Sequence, residues 1–253
     1  MTTTPSPPAT WTGKTALVTG AAIRIGAAIA RTLAARGIHL VLHYRSSQTE
    51  AEALAAELAA TGIRATPIQG HLDSETGCQD LFTRATQAAG PLDLLVNNAS
   101  AFNKHPLSAI TQSALLGEFW PNLFAPVLLT RHFAAQHRPG VIVNLLDRRV
   151  ESNDPTCIPY LLSKKGLADF TRASALALAP RIRVYGVAPG PILPPPGESP
   201  NYLKERAGRV PLDYYPTPHD IAHAVSSCLD FPGTTGQTIY VDGGQHLLGN
   251  GVA

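Results

Sequence analysis

The sequence predicts an α/β protein built on one doubly wound parallel sheet of about seven strands. Three observations carry that prediction. Short apolar runs alternate with helix-patterned stretches along the whole chain. No composition break divides it, and it contains no internal repeat. A turn containing glycine closes the first apolar run and opens an alanine-rich helix. The 253 residues are ample for a large buried core, and 44% hydrophobic with 15% charged is ordinary for a globular chain.

"TALVTG" (15–20) reads as a buried strand stopped by glycine. "AAIARTLAARG" (27–37) has helical spacing and a stop at Gly37. "IHLVLHYR" (38–45) is a second strand, after which Ser46 or Ser47 can cap the helix "QTEAEALAAELAATG", ending near Gly62. "RATPIQGHLD" reads as strand then turn, 75–89 as helix and "LDLLVNNA" (92–99) as strand. One long helical stretch is expected over 108–137. "GVIVNLLD" (140–147) is a strand, 158–179 a helix and "RIRVYGVAPG" (181–190) a strand. A helix over 218–231 and the strand "QTIYVDGG" (237–244) close the chain.

The proline-rich "PGPILPPPGESP" (189–200) follows a strand end, where such sheets bind ligands. It is expected to be non-helical and to flank a substrate. "MTTTPSPPAT" has no apolar signal core, so 1–11 reads as a disordered leader and 12–253 as one domain. Net charge is +2, too small to imply nucleic acid or an acidic membrane as partner. No apolar run is long enough to span a bilayer. Cys78, Cys157 and Cys228 form neither a metal spacing nor an even disulfide framework. A cytoplasmic protein acting on a small molecule is the expectation. The histidines are scattered, and His219 and His223 lack a third ligand, so no metal site is expected.

"TGAAIRIG" (19–26) occupies the place of a dinucleotide turn, framed by Gly20 and Gly26. The strict G-x-G-x-x-G spacing is absent. Arg24 sits on the first helical turn, where the dipole disfavours a cation, so an anionic partner is expected there. The second strand ends "HYRSS", with no acidic residue before Glu50 to take a ribose 2′-hydroxyl. Arg45, Ser46 and Ser47 suit a 2′-phosphate instead, which points to NADPH. "YLLSK" places Tyr160 and Lys164 four apart on one helix face. A lysine ammonium beside the phenol would lower its pKa from about 10 toward neutrality and make Tyr160 a usable general acid.

These motifs, with "HLD" (71–73), "NNAS" (97–100), Asn122, "APGP" (188–191) and "VDGG" (241–244), resemble the short-chain dehydrogenase/reductase family from Lys14 to about Leu248. The resemblance implies a Rossmann domain, usually a homotetramer, that moves hydride to or from a nicotinamide. It makes Tyr160 the proton donor, Lys164 its tuner and ribose ligand, and Asn122 the holder of a relay water. It assigns Gly20, Arg24, Ile25, His43, Tyr44, Arg45, Ser46, Asp73, Asn98, Ala99, Ser100, Pro189 and Gly190 to the cofactor.

Two departures narrow the resemblance. Most members carry a serine where this chain has Asp147, and a glycine where it has Arg24. A carboxylate cannot donate to a carbonyl and suits a substrate presenting N–H groups. Both departures are similar to the pteridine reductase branch, as are "LHYRSS", "NNASAF" and "RVPL" (209–212). By that resemblance Phe102 stacks on a pterin ring, while Arg24, Ser100, Asp147, Tyr160 and Pro191 surround it. Asp147 could instead pair with Arg148 or Arg149, and Phe102 could be plain core packing. A carbonyl reductase acting on a 3-oxoacyl thioester or sugar ketone, and a non-catalytic NADPH binder, are the other readings.

Overall fold

Every residue of β1 (Thr15–Val18) is buried, as a strand covered on both faces must be. It joins β2 (His39–Tyr44), β3 (Ala65–Gln69), β4 (Leu94–Asn97), β5 (Gly140–Leu145), β6 (Ile182–Pro189) and β7 (Thr238–Val241). All pair in parallel, in the order β3-β2-β1-β4-β5-β6-β7. This computed structural model describes residues 10–194, 199 and 201–248.

Alternate strand residues point to opposite faces, so each face needs its own helical cover. Ala16 and Val18 join one core with Leu33 of α1 (Arg24–Ala34) and Leu54 of α2 (Gln48–Ala59). Ile221 and Val225 of α8 (Pro218–Ser227) complete that side. Leu17 belongs to the other core, with Leu81 and Phe82 of α3 (Glu75–Ala89) and Leu129 and Phe133 of α5 (Ala125–Ala134). α4 (Gln112–Phe119) packs beside α6 (Ile158–Leu178), and a short α7 (Tyr202–Arg206) follows the proline-rich loop.

Several local expectations change. The helix expected over 108–137 is broken into a 3₁₀ turn at Leu107–Ala109, α4, a π-helical turn at Trp120–Phe124 and α5. Pro121 and Pro126 have no N–H to continue the α-helical ladder, which is reason enough for the break. Ser47 stands at the N-cap of α2 but its hydroxyl makes no capping bond. Trp11, assigned to the leader, packs into the first core. Residues 1–9 of that leader, and 195–198 and 200 of the proline-rich loop, lie outside the described residues. Among the described residues no helix is long and apolar enough to cross a membrane.

The chain runs outward from β1 through β2 and β3, then returns to start β4 on the other side of β1. The strand ends diverge there and leave a crevice, the place where such sheets take ligands. The β1 turn at that crevice is pinned from β2. The His43 ring is buried; its Nδ1 accepts from the Gly20 N–H at 3.0 Å and its Nε2 lies 3.3 Å from the Gly70 carbonyl. Nε2 therefore carries the proton, and the ring is neutral. Burial lowers the His43 pKa to about 4, against the pull of the Gly70 bond, with the Arg84 and His71 charges adding to the drop.

The unfolded chain takes up this proton near 6.5 and the folded chain only near 4. The stability that follows is complete above the unfolded value and is lost as pH falls through the folded one, about 3 kcal/mol in all. Denaturant titrations between these limits should record the loss. His43→Gln should flatten it, and an unchanged slope in the variant would contradict the pinning.

Candidate active site

The β1 turn is shaped for close approach of a ligand to backbone. Gly20 has φ +62, and a Cβ on Gly26 would lie 2.0 Å from the Gly20 carbonyl oxygen. Thr19 and Asn98 hold the turn from β1 and β4. The Thr19 hydroxyl accepts from the backbone N–H groups of Asn98 and Ala99, both at 2.9 Å. Asn98 Nδ2 donates to the carbonyls of Thr19 and Gly20, both at 2.9 Å. α1 starts with no side-chain cap and no acidic residue in its first turn. Its first N–H groups are thus free of side-chain acceptors and face the turn, as an anion site requires.

A cavity of about 1110 Å³ runs from this turn, lined by Arg24, Ile25, His43, Tyr44, Arg45, Ser46, Asp73, Asn98, Ala99 and Ser100. The structure thus brings together the cofactor residues expected on the adenosine side. His43 has both ring nitrogens committed to backbone, so it shapes the turn and offers no free nitrogen to a ligand. Arg24 is exposed, has φ +54, and among the described residues reaches only the Pro194 carbonyl, at 3.4 Å. A side chain other than glycine in that conformation is uncommon and marks a position chosen for something other than backbone ease.

A second cavity of about 580 Å³ adjoins it, lined by Asp147, Tyr160, Lys164, Pro189, Gly190 and Pro191, with Arg24, Ser100 and Phe102 shared by both. β5 carries Asp147 just past its end, and α6 presents Tyr160 to it. The Tyr160 hydroxyl donates to Asp147 Oδ2 at 2.8 Å. Asp147 Oδ1 accepts from the Arg149 N–H at 2.8 Å, and the Arg149 guanidinium lies 3.3 Å from Oδ2. Asp147 therefore pairs with Arg149 and also faces the phenol. Phe102 is 48% exposed, which rules out plain core packing. Its ring meets Tyr160 edge-on at 4.8 Å, and the Arg149 guanidinium stands 5.7 Å from its centroid.

The relation of Lys164 to Tyr160 differs from the sequence expectation. The Lys164 ammonium donates to the Leu145 carbonyl at 2.7 Å and stands 5.9 Å from the phenol ring centre. The Tyr160 pKa is raised well above that of an ordinary tyrosine, by burial first, then by the charge and hydrogen bond of Asp147. Arg149 is the charge that opposes this. Lys164 itself is lowered to about 8 by burial, partly countered by Asp147 and Glu118. The site without ligand thus keeps the phenol protonated.

Asn122 is fully buried and its side chain is committed. Oδ1 accepts from the Ser100 hydroxyl at 2.7 Å and the Ala101 N–H at 3.2 Å, while Nδ2 donates to the Ala101 carbonyl at 2.9 Å. Nδ2 also reaches Glu118 at 3.1 Å, and Glu118 accepts from Asn103 at 2.7 Å. Pro126 has no N–H to give the Asn122 carbonyl one α-helical turn earlier. Glu118 is fully buried and escaped sequence reasoning; its i,i+4 spacing from Asn122 was the available signal. The Asp147–Arg149 pair was among the sequence alternatives, whereas Thr19 was missed too, since its partners are recognisable only in space. So was a buried chain from Asn97 to Asn144 at 2.8 Å and on to Thr171 at 2.9 Å, which ties β4, β5 and α6 together.

A phosphate-shaped turn at a sheet's switch point, beside a buried phenol and lysine, defines a nucleotide-dependent oxidoreductase. The chain belongs to the short chain dehydrogenase family, whose profile matches residues 14–200. FolM alternative dihydrofolate reductase 1 from Brucella canis, solved with NADP, is 35% identical and superposes with a TM-score of 0.89 over 94% of this chain and 96% of that one. An uncharacterized oxidoreductase of Bacillus subtilis, YhxC, is 30% identical over 94% of this chain and 86% of its own length. The 3-oxoacyl-acyl-carrier-protein reductase of Staphylococcus epidermidis is 29% identical over 92% of this chain and 99% of its own length.

Glu118→Leu should leave one N–H of the buried Asn122 amide without its acceptor, the other staying on Ala101, and cost roughly 1–3 kcal/mol, while exposed Asn103 turns to water. Glu118→Gln, which keeps one acceptor oxygen, should cost less. Urea denaturation of both variants measures the difference.

Proposed function

We propose that this chain reduces a pterin ring, dihydropterin or dihydrofolate-like, with NADPH. The observation that carries this reading is the Tyr160–Asp147 contact at 2.8 Å in the place where most of the family has a serine. The likeness to FolM, named as an alternative dihydrofolate reductase, supports it.

The turn from Gly20 to Gly26, with the uncapped start of α1, fits a pyrophosphate. Arg45 and Ser46, exposed at the cavity rim with no neighbouring acid on the strand end, fit a 2′-phosphate. When bound, NADPH supplies the hydride. Asp147 accepts a substrate N–H and so orients a nitrogen heterocycle. Phe102 offers its exposed ring as a stacking face. Tyr160, kept protonated by burial and by Asp147, gives its phenolic proton to the ring nitrogen next to the reduced carbon. Lys164 ties α6 to the end of β5 through the Leu145 carbonyl and holds its positive charge near the pocket. Exposed Leu162 and Leu176 on α6 support the homotetramer implied by family resemblance.

Reduction of a 3-oxoacyl group is the second reading, favoured by the Staphylococcus epidermidis relative. Asp147→Ser separates the two. Activity with dihydrobiopterin should fall by about a hundredfold or more, the scale of losing a charged substrate contact in the transition state. Unchanged dihydrobiopterin reduction, or a gain confined to acetoacetyl thioesters, would favour the carbonyl reading.

The pH profile supplies a further check. Lys164 loses its proton near 8, so reduction should decline as pH rises through that value. Asp147 holds the ammonium up, so Asp147→Asn should move the alkaline limb to lower pH. A limb that stays in place would separate Lys164 from the proton supply.

A further inference from the structure

The cavity beside Tyr160 holds more positive charge than ring reduction uses. Among the described residues, Arg24, Arg148, Arg149 and Lys164 line it against a single carboxylate, Asp147. Three of these cations have partners. Arg149 pairs with Asp147 and Asp154, Lys164 with the Leu145 carbonyl, and Arg24 with the Pro194 carbonyl beside the phosphate turn.

Arg148 has no ion pair and no side-chain hydrogen bond among the described residues, although it is half-buried. The carboxylates around it are already committed. Asp147 serves Tyr160 and Arg149, and Asp154 serves Thr156 and Arg149. Asp242 is buried and bonded to Gly244 and His246. Burial, followed by repulsion from Arg149, pulls Arg148 below the ordinary arginine value. A guanidinium withdrawn from water without a counter-charge is unfavourable. A binding site gains by keeping such a group ready, because an arriving anion finds it already partly desolvated. Arg148 lines the cavity of Asp147 and Tyr160, not the one holding Tyr44 and Arg45, which places it on the substrate side.

We propose that Arg148 anchors an anionic group, carboxylate or phosphate, carried by the substrate away from the ring that is reduced. The proposal rests on the pterin reading and narrows it to rings with an acidic tail. The guanidinium fork matches either anion in bidentate fashion. A bare pterin would leave Arg148 as unpaired as it stands.

Calorimetric titration of the NADP⁺ complex with folate, with a phosphorylated hydroxymethylpterin and with bare pterin tests this. The wild type should bind at least one anionic ligand about tenfold to a hundredfold more tightly than pterin, and whichever does names the anion. Arg148→Gln should bring that ratio close to unity, and Arg148→Lys should retain part of it. Affinity for NADP⁺, measured on each variant, reports whether the fold survives. Equal affinities for all three ligands in the wild type would overturn the anchor. So would a ratio that Arg148→Gln leaves intact, or loss of NADP⁺ binding together with the anions in both variants. Turnover separates this from the parent reading. Tight folate binding without NADPH oxidation by dihydrofolate or dihydrobiopterin sinks the reaction and keeps the anchor. Equal kcat/KM for dihydrobiopterin, dihydrofolate and a phosphorylated dihydropterin, in wild type and Arg148→Gln alike, keeps the reaction and sinks the anchor.

Discussion

A phenol and a carboxylate meet at 2.8 Å beyond the end of a buried strand, and the rest of the site is arranged around that contact. Burying the pair is costly unless the carboxylate is compensated. Arg149 supplies the compensation twice, through its backbone N–H and through its guanidinium. The 3₁₀ turn at Arg148–Glu151, capped by Asp147 itself, is what brings that backbone donor round. The same side chain that presents an acceptor to the pocket therefore also starts the turn that neutralises it. Lys164, bonded to the Leu145 carbonyl, fastens α6 to β5 two residues earlier and fixes where the phenol stands.

The cofactor side of the crevice obeys a similar logic on a different scaffold. Three strands hold one turn: Thr19 from β1, His43 from β2 and Asn98 after β4. Backbone groups left open by the sharp bend at Gly20 thereby find partners, as buried polar groups must. The Asn97–Asn144–Thr171 chain ties the neighbouring strand ends and α6 in the same manner. Side-chain amides and hydroxyls, not further apolar contacts, set the relative position of the strand ends. That suits a region which must stay open to a ligand and so cannot be packed shut.

Relatives with this fold carry different names, a dihydrofolate reductase among them and a 3-oxoacyl reductase also. The scaffold is common to both, so specificity has to come from charge and hydrogen bonding at a few positions. Asp147 places an acceptor at the pocket wall, facing Tyr160. Among the described residues, Arg24, Arg148 and Arg149 outnumber that acid in the same pocket. An electropositive cleft with low-dielectric walls favours anionic ligands by its field alone, before any contact is made.

The sequence by itself determined the sheet, the order of its elements and a core set of the residues that line both cavities. Strands buried on two faces must be apolar throughout, and a Y-x-x-x-K pair must share a helix face, so both are legible in one dimension. Boundaries were less legible: Trp11 packs into a core that composition could not foresee, and two prolines divide the helix expected over 108–137. Only the tertiary structure decided how the groups act on one another. It put Lys164 against a carbonyl instead of the phenol oxygen, made His43 a backbone acceptor, committed the Asn122 amide to Glu118 and Ala101, and left Arg148 without a counter-ion among the described residues. The reason is physical. A hydrogen bond or a charge pair depends on distance and on the water left between groups, and most of these partners belong to separate elements that only folding brings within reach.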